Sequence, residues 1–317
     1  LPGTKKYFLQ PGEKNKGMAL PKYFSPIWTG LNHPEHGLAF TMSEKKGAKY
    51  SAQSAWNAQL LWWYYRYTGD KTYLREIAYP FMREAMIFLE CTLSRDSAGL
   101  IYNISMTPEQ GDHYHSSFGR ALIWRLLKDC ITASKILGVE PKNRKRWQET
   151  LENLAPYPVK DGAISETYYS AQPYRCHNGV ISCVYPAMEI DADHPLADKA
   201  VETQKHATYF WANRDPHHAG LIFSENPGGQ NINTFSITQA CLAWNRLGKG
   251  DKTLGLLYNP GMNYEMFPHG GWSHNPGYRG KIASESTGLP VLAQIVNEML
   301  LQVRRDTDMY IFPAVPF

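Results

Sequence analysis

The 317-residue sequence predicts an all-α protein, a toroid of helical hairpins. Three observations support this fold class. Apolar residues recur at three- and four-residue steps along most of the chain, as on the buried face of a helix. The predicted helices arrive in pairs, joined by short turns on one side and by long Gly-, Pro- and His-rich loops on the other. Strand patterns are few and short, as at 100–102 and 221–223, which argues against a fold that alternates strands and helices.

A Pro-, Gly- and Lys-rich segment opens the chain, and we interpret residues 1–45 as an extended arm before a helical domain at 46–317. The first predicted helix covers 50–68 and ends at a Thr-Gly-Asp turn. In the second helix, Pro80 interrupts the helix or restarts it, because proline fits well only in a first turn.

The third predicted helix ends at Leu137, with Gly138 as its stop. Further helices are predicted over 142–154, 196–211, 232–246, 251–258 and 288–302. These helices make about four to four and a half hairpins, fewer than a closed ring of six hairpins requires. We therefore expect the natural protein to have additional sequence, either before Leu1, which would make this toroid incomplete at its N-terminus, or in further segments within the chain.

Composition and charge exclude several classes of partner. The 33 basic and 29 acidic residues are scattered along the chain and give a net charge of +4, with no basic tract, so nucleic acid is not a predicted partner. No apolar run reaches the ~20 residues of a membrane helix. The five cysteines form no C-x-x-C pair, and the histidine pairs at 113/115 and 217/218 lack a nearby Asp, Glu or Cys set. With no Gly-rich phosphate loop either, neither a metal nor a cofactor is predicted.

The content of aromatic residues favours carbohydrate binding. The chain has nine Trp and 20 Tyr, and several of the indoles, including Trp28, Trp211 and Trp272, lie beside Gly, Pro, Asn or His. An indole offers a flat apolar face and a polar edge, which suits the C–H faces and hydroxyls of a sugar. For any single ring, the filling of a large core is the alternative explanation.

Carboxylates in the long loops suggest acid–base chemistry. Glu109 lies in the string ISMTPEQGD, where Pro108 restricts the backbone, and Glu225, Glu265 and Glu285 lie in comparable loops. Glycosidases place two carboxyl groups on either side of the scissile bond, one protonated and one ionised. A solvated surface acid is the alternative for each of these residues.

Several strings, in order, resemble the catalytic toroid of glycoside hydrolase family 95, which contains α-L-fucosidases and α-L-galactosidases. The strings that carry the resemblance are WNAQLLWWYYRYTGD from Trp56, Met106-Thr-Pro-Glu109, DGAISE from Asp161, Val184-Tyr-Pro186, AWNRLG from Ala243, EMLLQ from Glu298 and IFPAVP from Ile311. The resemblance implies a helical toroid that acts on sugars, with Glu109 as the general acid.

The sequence also departs from the family pattern. The family's Asp that helps to activate water stands eleven residues before the Glu of EMLLQ, and that position is Thr287 here, with Glu285 as the nearest carboxylate. The family's two histidines before the Tyr-Pro turn are reduced to His177. Its N-I-N segment, expected before residue 40, resembles only the string that contains Asn233.

These observations predict a glycoside hydrolase that acts on an oligosaccharide or polysaccharide by an inverting mechanism, with Glu109 as acid and Glu285 or another loop carboxylate as base. The residues predicted to contact the substrate are Trp56, His177, Trp211, Asn233, Trp272 and Thr287. The resemblance implies a secreted or periplasmic protein, and the sequence does not indicate an oligomeric state.

Two alternatives stay open at this point. One is another activity of helical toroids, such as a rhamnosidase, a glucuronyl hydrolase or a lyase, the last of which would favour a Tyr/His pair over two carboxylates. The other is a non-catalytic glycan-binding protein that has lost its base, an interpretation that Thr287 supports.

Overall fold

The computed structural model describes residues 52–106, 112–168, 176–212, 234–257 and 288–316. The chain divides into two compact units, Leu1–Tyr157 and Pro158–Phe317. In the described ranges, helices dominate both units, and the strands are short. None of the described helices has the length and apolar character needed to cross a membrane. The predicted boundary at residue 45 lies outside the described residues and stays a prediction.

The first unit is built from helices that pack on one another around a shared core. Its helical elements within 52–106 and 112–157 are α1 (Gln53–Thr68), α2 (Lys71–Tyr73), a π-helical turn (Leu74–Ala78), α3 (Tyr79–Glu90), α4 (Ser117–Leu137) and α5 (Pro141–Glu152). Helices α1, α3 and α4 pack on one another, and α5 packs on α4. Trp62, Leu122 and Trp147 are among the fully buried side chains at the centre of this core.

The predicted ends of the first and third helices of this unit are confirmed, whereas the helix predicted over 142–154 ends earlier, at Glu152. Gly69 and Gly138 end α1 and α4 in the left-handed conformation, with φ of 68° and 69°, which a residue without Cβ adopts easily. Asp70 then starts the next helix, because its carboxylate accepts from the backbone N–H groups of Thr72 and Tyr73 at 2.9 Å. Pro80 lies in the first turn of α3, directly after the π-helical turn. The backbone stays helical from Lys71 to Glu90, so the helix changes its hydrogen-bond pattern before Pro80 but does not break there.

A three-stranded antiparallel sheet connects α3 to α4. Its strands are β1 (Leu93–Arg95), β2 (Ile101–Met106) and β3 (Asp112–Tyr114), in the order β1-β2-β3. Ile104 pairs with Tyr114, and Met106 pairs with Asp112. The start of β2 also bridges to Leu154, after the end of α5. The predicted strand at 100–102 is therefore part of a longer strand.

The described part of the second unit contains four α-helices, a 3-10 helix and two β-hairpins. Its elements are β4 (Val159–Lys160), β5 (Ala163–Ile164), a 3-10 helix (Cys176–Cys183), α6 (Ala197–Ala212), α7 (Thr234–Arg246), α8 (Gly250–Leu257), α9 (Gly288–Leu300), β6 (Leu301–Arg304) and β7 (Asp308–Ile311). Helix α7 packs against α6, α8 and α9. The predicted strand at 221–223 lies outside the described residues.

The predicted end of the last helix, at residue 302, is wrong. Helix α9 ends at Leu300, and the chain continues directly into β6, which pairs with β7. The sequence pattern is misleading because the usual alternation is reversed: Gln302 and Arg304 are buried, whereas Leu301 and Val303 are exposed. The polar side chains find hydrogen-bond partners inside the unit, so their burial carries no large penalty.

Gly250, at the start of α8, provides a test of this packing. A Cβ atom at this position would overlap with the backbone carbonyl of Ala314, whereas a Cβ at Gly255 in the same helix would meet no atom within 4 Å. We expect Gly250→Ala to lower the free energy of unfolding by about 3 kcal/mol, through the overpacking of a backbone contact.

The matched control is Gly255→Ala, which we expect to raise the free energy of unfolding by about 0.5–1 kcal/mol, because alanine is the better helix former. Urea unfolding at equilibrium measures both changes. Equal effects of the two substitutions would contradict the close approach of Ala314 to α8.

Candidate active site

Most of the predicted site residues lie outside the described residues. These are Glu109, Asn233, Trp272, Glu285 and Thr287. His177 lies in the 3-10 helix and Trp211 lies in α6, but their side chains are also outside the described part. The proposed roles of these residues therefore stay predictions, and the structure describes the elements that precede and follow them.

Trp56 is the predicted sugar-contacting residue whose side chain is described. It lies in α1, is partly buried and packs against the core of the first unit. Its ring centroid is 6.1 Å from that of Phe118 in α4, with a tilted geometry. The contacts with the core cover part of the Trp56 indole, and its role in sugar stacking stays a prediction.

The two strands that flank Glu109 are defined. Strands β2 and β3 pair up to Met106 and Asp112, and five residues, 107–111, separate those two positions along the chain. Glu109 is the third of the five.

His115 holds the far end of this strand pair. Its backbone is left-handed, with φ of 53°, and its N–H donates to the carbonyl oxygen of Asn103 at 2.6 Å. Its Nε2 lies 2.9 Å from the carbonyl oxygen of Pro156, and because a carbonyl only accepts, Nε2 must carry the proton. Nδ1 is then an acceptor and lies 3.5 Å from the backbone N of Asn103, a long hydrogen bond.

Arg120 fixes the segment that receives the His115 ring. Its Nε donates to the carbonyl oxygen of Ala155 at 3.1 Å, and its guanidinium carbon lies 3.9 Å from the centre of the Tyr157 ring. Ala155 in turn donates its N–H to the carbonyl of Ile101 in β2 at 2.8 Å. Strand β2, the start of α4 and the segment after α5 are thus tied together by buried polar contacts.

The environment of His115 favours the neutral ring. The side chain is fully buried, and burial, assisted by the charge of Arg120, lowers the pKa of His115 to about 4, although the Pro156 carbonyl opposes the shift. The ring therefore stays uncharged at neutral pH, with the Nε2–H tautomer fixed by Pro156.

Asn103 is a further polar residue of this cluster that the sequence did not single out. It is fully buried in β2, and neither atom of its side-chain amide has a hydrogen-bond partner among the described residues. A buried amide without partners is costly, so such a group marks a place where further atoms are expected. The sequence signal was an amide side chain directly after the short strand pattern at 100–102.

In the second unit, the buried ion pair of Arg246 and Glu298 anchors α9 on α7. The Nη2 of Arg246 donates to Oε1 of Glu298 at 2.8 Å, and its Nε lies 2.6 Å from Oε2. The amide of Gln302 donates to the carbonyl of Asn245 at 2.9 Å, and the amide of Asn245 donates to the carbonyl of Ile295 at 2.8 Å. The segments with the sequences AWNRLG and EMLLQ are therefore in direct contact.

This anchoring of α9 on α7 is relevant to the predicted base, because Glu285 and Thr287 come directly before α9 in the chain.

Glu166, which follows β5, is another carboxylate of interest, since it is only 1% exposed. Acidic side chains are rarely buried to this degree unless they have partners. The described residues contain no group of three or more His, Cys, Asp or Glu that could hold a metal ion.

Comparisons with known proteins define the class of this protein as a glycoside hydrolase catalytic domain. The sequence model for the glycosyl hydrolase family 95 catalytic domain matches residues 30–265, well over half of the chain. The chain therefore belongs to glycosyl hydrolase family 95. This match confirms the predicted family resemblance and the predicted (α/α) toroid as the fold class.

Two similar solved structures are described as a glycosidase in wild-type form and a variant form. Each is 13% identical to this chain, with a TM-score of 0.43, and the alignment covers 77% of this chain. This chain spans 61% of the length of each of those glycosidases. A search of curated proteins finds no match.

The lowered pKa of His115 predicts a pH dependence of stability. The pKa of this ring is about 4 in the folded protein, against an ordinary value of 6.5 for an unfolded histidine. The contribution of His115 to stability is complete above pH 6.5 and is lost as the pH falls towards 4, by roughly 1.4 kcal/mol per pH unit.

We expect His115→Asn to remove this part of the pH dependence, when the free energy of unfolding in urea is measured between pH 7 and pH 4.5. The control is the same pH series on the wild-type protein, whose slope should be the steeper of the two. An unchanged slope in His115→Asn would show that His115 is not held neutral by its surroundings.

Proposed function

We propose that this protein hydrolyses a glycosidic bond of an oligosaccharide or polysaccharide with inversion at the anomeric carbon. The observation that carries the proposal is the family 95 match over residues 30–265, which includes the Thr-Pro-Glu string around Glu109. The described strands β2 and β3 support it, because they bring a paired framework to either side of that string.

In this mechanism, Glu109 is protonated and donates its proton to the glycosidic oxygen as the bond to the anomeric carbon breaks. A second carboxylate accepts a proton from a water molecule that attacks from the opposite face. We assign this base to Glu285, which comes before the anchored helix α9 and is the nearest carboxylate to Thr287.

Substrate binding in this proposal combines stacking with hydrogen bonds. The indoles of Trp56, Trp211 and Trp272 would stack on sugar faces. His177, Asn233 and Thr287 would bind sugar hydroxyls. Since the substrate is a glycan, we also propose that the protein is secreted or periplasmic.

A second candidate function is glycan binding without hydrolysis. One observation favours it: the family's Asp is replaced by Thr287, which cannot accept a proton from water as a carboxylate does. Incubation with aryl glycosides and with plant or algal polysaccharides separates the two candidates. Release of sugar whose initial anomer, followed by NMR, is inverted supports the hydrolase, whereas binding without release supports the second candidate.

The first test of the mechanism is Glu109→Gln. Glutamine keeps the size of the side chain but removes the transferable proton, so we expect kcat on substrates with poor leaving groups to fall about 10²–10⁴-fold. With an activated aryl leaving group, which needs little protonation, the loss should be much smaller. A Glu109→Gln protein that cleaves the poor-leaving-group substrate at near wild-type rate would remove Glu109 from the mechanism.

The second test is Glu285→Gln. Water must be activated whichever group departs, so we expect kcat to fall by a similar factor, about 10²-fold or more, on good and poor leaving groups alike. Glu166→Gln provides the comparison, because Glu166 is a buried carboxylate of the same unit. If Glu166→Gln shows this leaving-group-independent loss and Glu285→Gln does not, the base is Glu166.

A further inference from the structure

We propose that the solvent-facing side of the last two turns of α1 is a glycan-binding surface. We call it the tyrosine face and define it by Leu60, Tyr64 and Tyr67 of α1 together with Tyr73 of α2. The inference rests on the proposed function, because that function makes a glycan the ligand of this protein. All four residues lie in the described part of the first unit, on one helix and the short helix that follows it.

The tyrosine face lies opposite the buried side of α1. Ala58 and Trp62 are buried in the core, whereas Leu60, Tyr64 and Tyr67 follow one another at steps of four and three residues and so share the other side of the helix. Tyr67 is 85% exposed, and Leu60 and Tyr64 are each 51% exposed. The outward side of a surface helix is ordinarily polar, so a contiguous group of large apolar and aromatic side chains there marks an interaction site.

The backbone under the tyrosine face is fixed by local hydrogen bonds. Gly69 donates its N–H to the carbonyl of Tyr65 at 2.7 Å, and the hydroxyl of Thr68 donates to the carbonyl of Tyr64 at 2.8 Å. The carboxylate of Asp70 then caps the segment that carries Tyr73. A tyrosine side chain has only two rotatable angles, so rings on such a backbone lose little conformational freedom when a ligand binds.

The rings of the tyrosine face form a bent platform. The centroid of the Tyr73 ring lies 4.4 Å from that of Tyr64, with the two planes inclined by 49°. Tyr67 comes three residues after Tyr64, where the Cβ atoms of a helix are about 5–6 Å apart. Two rings at this spacing can contact neighbouring units of one glycan chain.

The size and the chemistry of the tyrosine face favour a glycan over a second copy of this chain. Aromatic side chains cover about 150–250 Å² each, so the exposed parts of Leu60, Tyr64 and Tyr67 amount to roughly 350 Å². A stable protein interface takes about 800 Å² from each partner. A tyrosine ring also combines an apolar face with a hydroxyl, which suits the C–H groups and hydroxyls of a sugar.

The experiment measures the retardation of the full chain by xyloglucan, pectin and fucoidan in affinity electrophoresis. We expect at least one of these polysaccharides to retard the wild-type protein. The Tyr64→Ala/Tyr67→Ala double variant should bind that polysaccharide about tenfold more weakly, because two stacking contacts are lost. Tyr67→Phe keeps the ring and should bind within about threefold of the wild type.

The matched control is Ile136→Ala. Ile136 is also an exposed apolar residue in the last turn of a helix that ends at a glycine, but it lies on α4. We expect this variant to bind the polysaccharide within about twofold of the wild type, because an exposed position away from a site has little effect. If the double variant does not fold, Tyr67→Ala decides the question, since Tyr67 is the more exposed of the two rings.

Hydrolysis provides the second readout. An aryl glycoside carries a single sugar unit, whereas the tyrosine face binds the units of a chain. We therefore expect the double variant to hydrolyse the aryl glycoside with kcat and KM within about twofold of the wild type, and to show KM for the polysaccharide raised about three- to tenfold.

Four results would overturn the inference: no retardation of the wild-type protein by any of the three polysaccharides; wild-type affinity in the folded tyrosine variants; an equal loss of affinity in Ile136→Ala; or a wild-type dimer in sedimentation that the double variant abolishes, which would assign the face to a second copy. The proposed function fails by a different result, which is no release of sugar by the wild-type protein. Because the electrophoresis needs no turnover, the two failures are separable.

Discussion

The hydrogen bond from the His115 ring to the carbonyl of Pro156 is the constraint on which the edge of the first unit depends. It lies where three pieces of chain meet: the end of the β2–β3 pair, the start of α4 and the segment after α5. Since a ring with a fixed tautomer offers one donor and one acceptor in opposite directions, a single side chain can satisfy groups on two elements. Burial keeps the ring neutral, which preserves both roles.

In the second unit, a different kind of contact holds elements together that are far apart in the sequence. There, a buried arginine–glutamate pair and two side-chain amides hold α9 on α7. A buried ion pair contributes little net stability compared with an apolar contact of the same size, but it costs several kcal/mol to break because one charge would be left without its partner. Its geometric requirement is strict, which suits a helix that begins directly after the predicted catalytic segment.

The helices can be predicted from the sequence, but the strands mostly cannot. The helices carry long periodic patterns with local end signals at Gly69 and Gly138, and these signals act over a few residues. The β6–β7 hairpin escapes prediction because Gln302 and Arg304 face inwards, and the burial of Gln302 depends on a partner far away in the chain. The contacts of His115 escape it for the same reason, since Pro156 lies 41 residues away.

The strings that carry the family resemblance consist largely of residues that prove to be structural in the described part. AWNRLG and EMLLQ include the Arg246–Glu298 pair, and the glycine after Lys249 permits the close approach of Ala314. Residues of this kind identify a fold because a change in one partner of a buried pair requires a matching change in the other. They do not report the sugar or the linkage, which is why the sequence predicts the class of enzyme more firmly than its specificity.

The abundance of tryptophan illustrates why composition alone is a weak guide to a sugar site. Trp62, Trp147 and Trp244 are buried, with exposed fractions of 1%, 0% and 5%, and therefore serve the two cores. Trp56 is shared between the core and the surface. A ring can stack on a sugar only with a free face, so a buried indole adds to the count of aromatic residues without adding to a binding site. The carbohydrate interpretation therefore rests on the surroundings of individual indoles, such as the Gly and His residues beside Trp272, and not on their number.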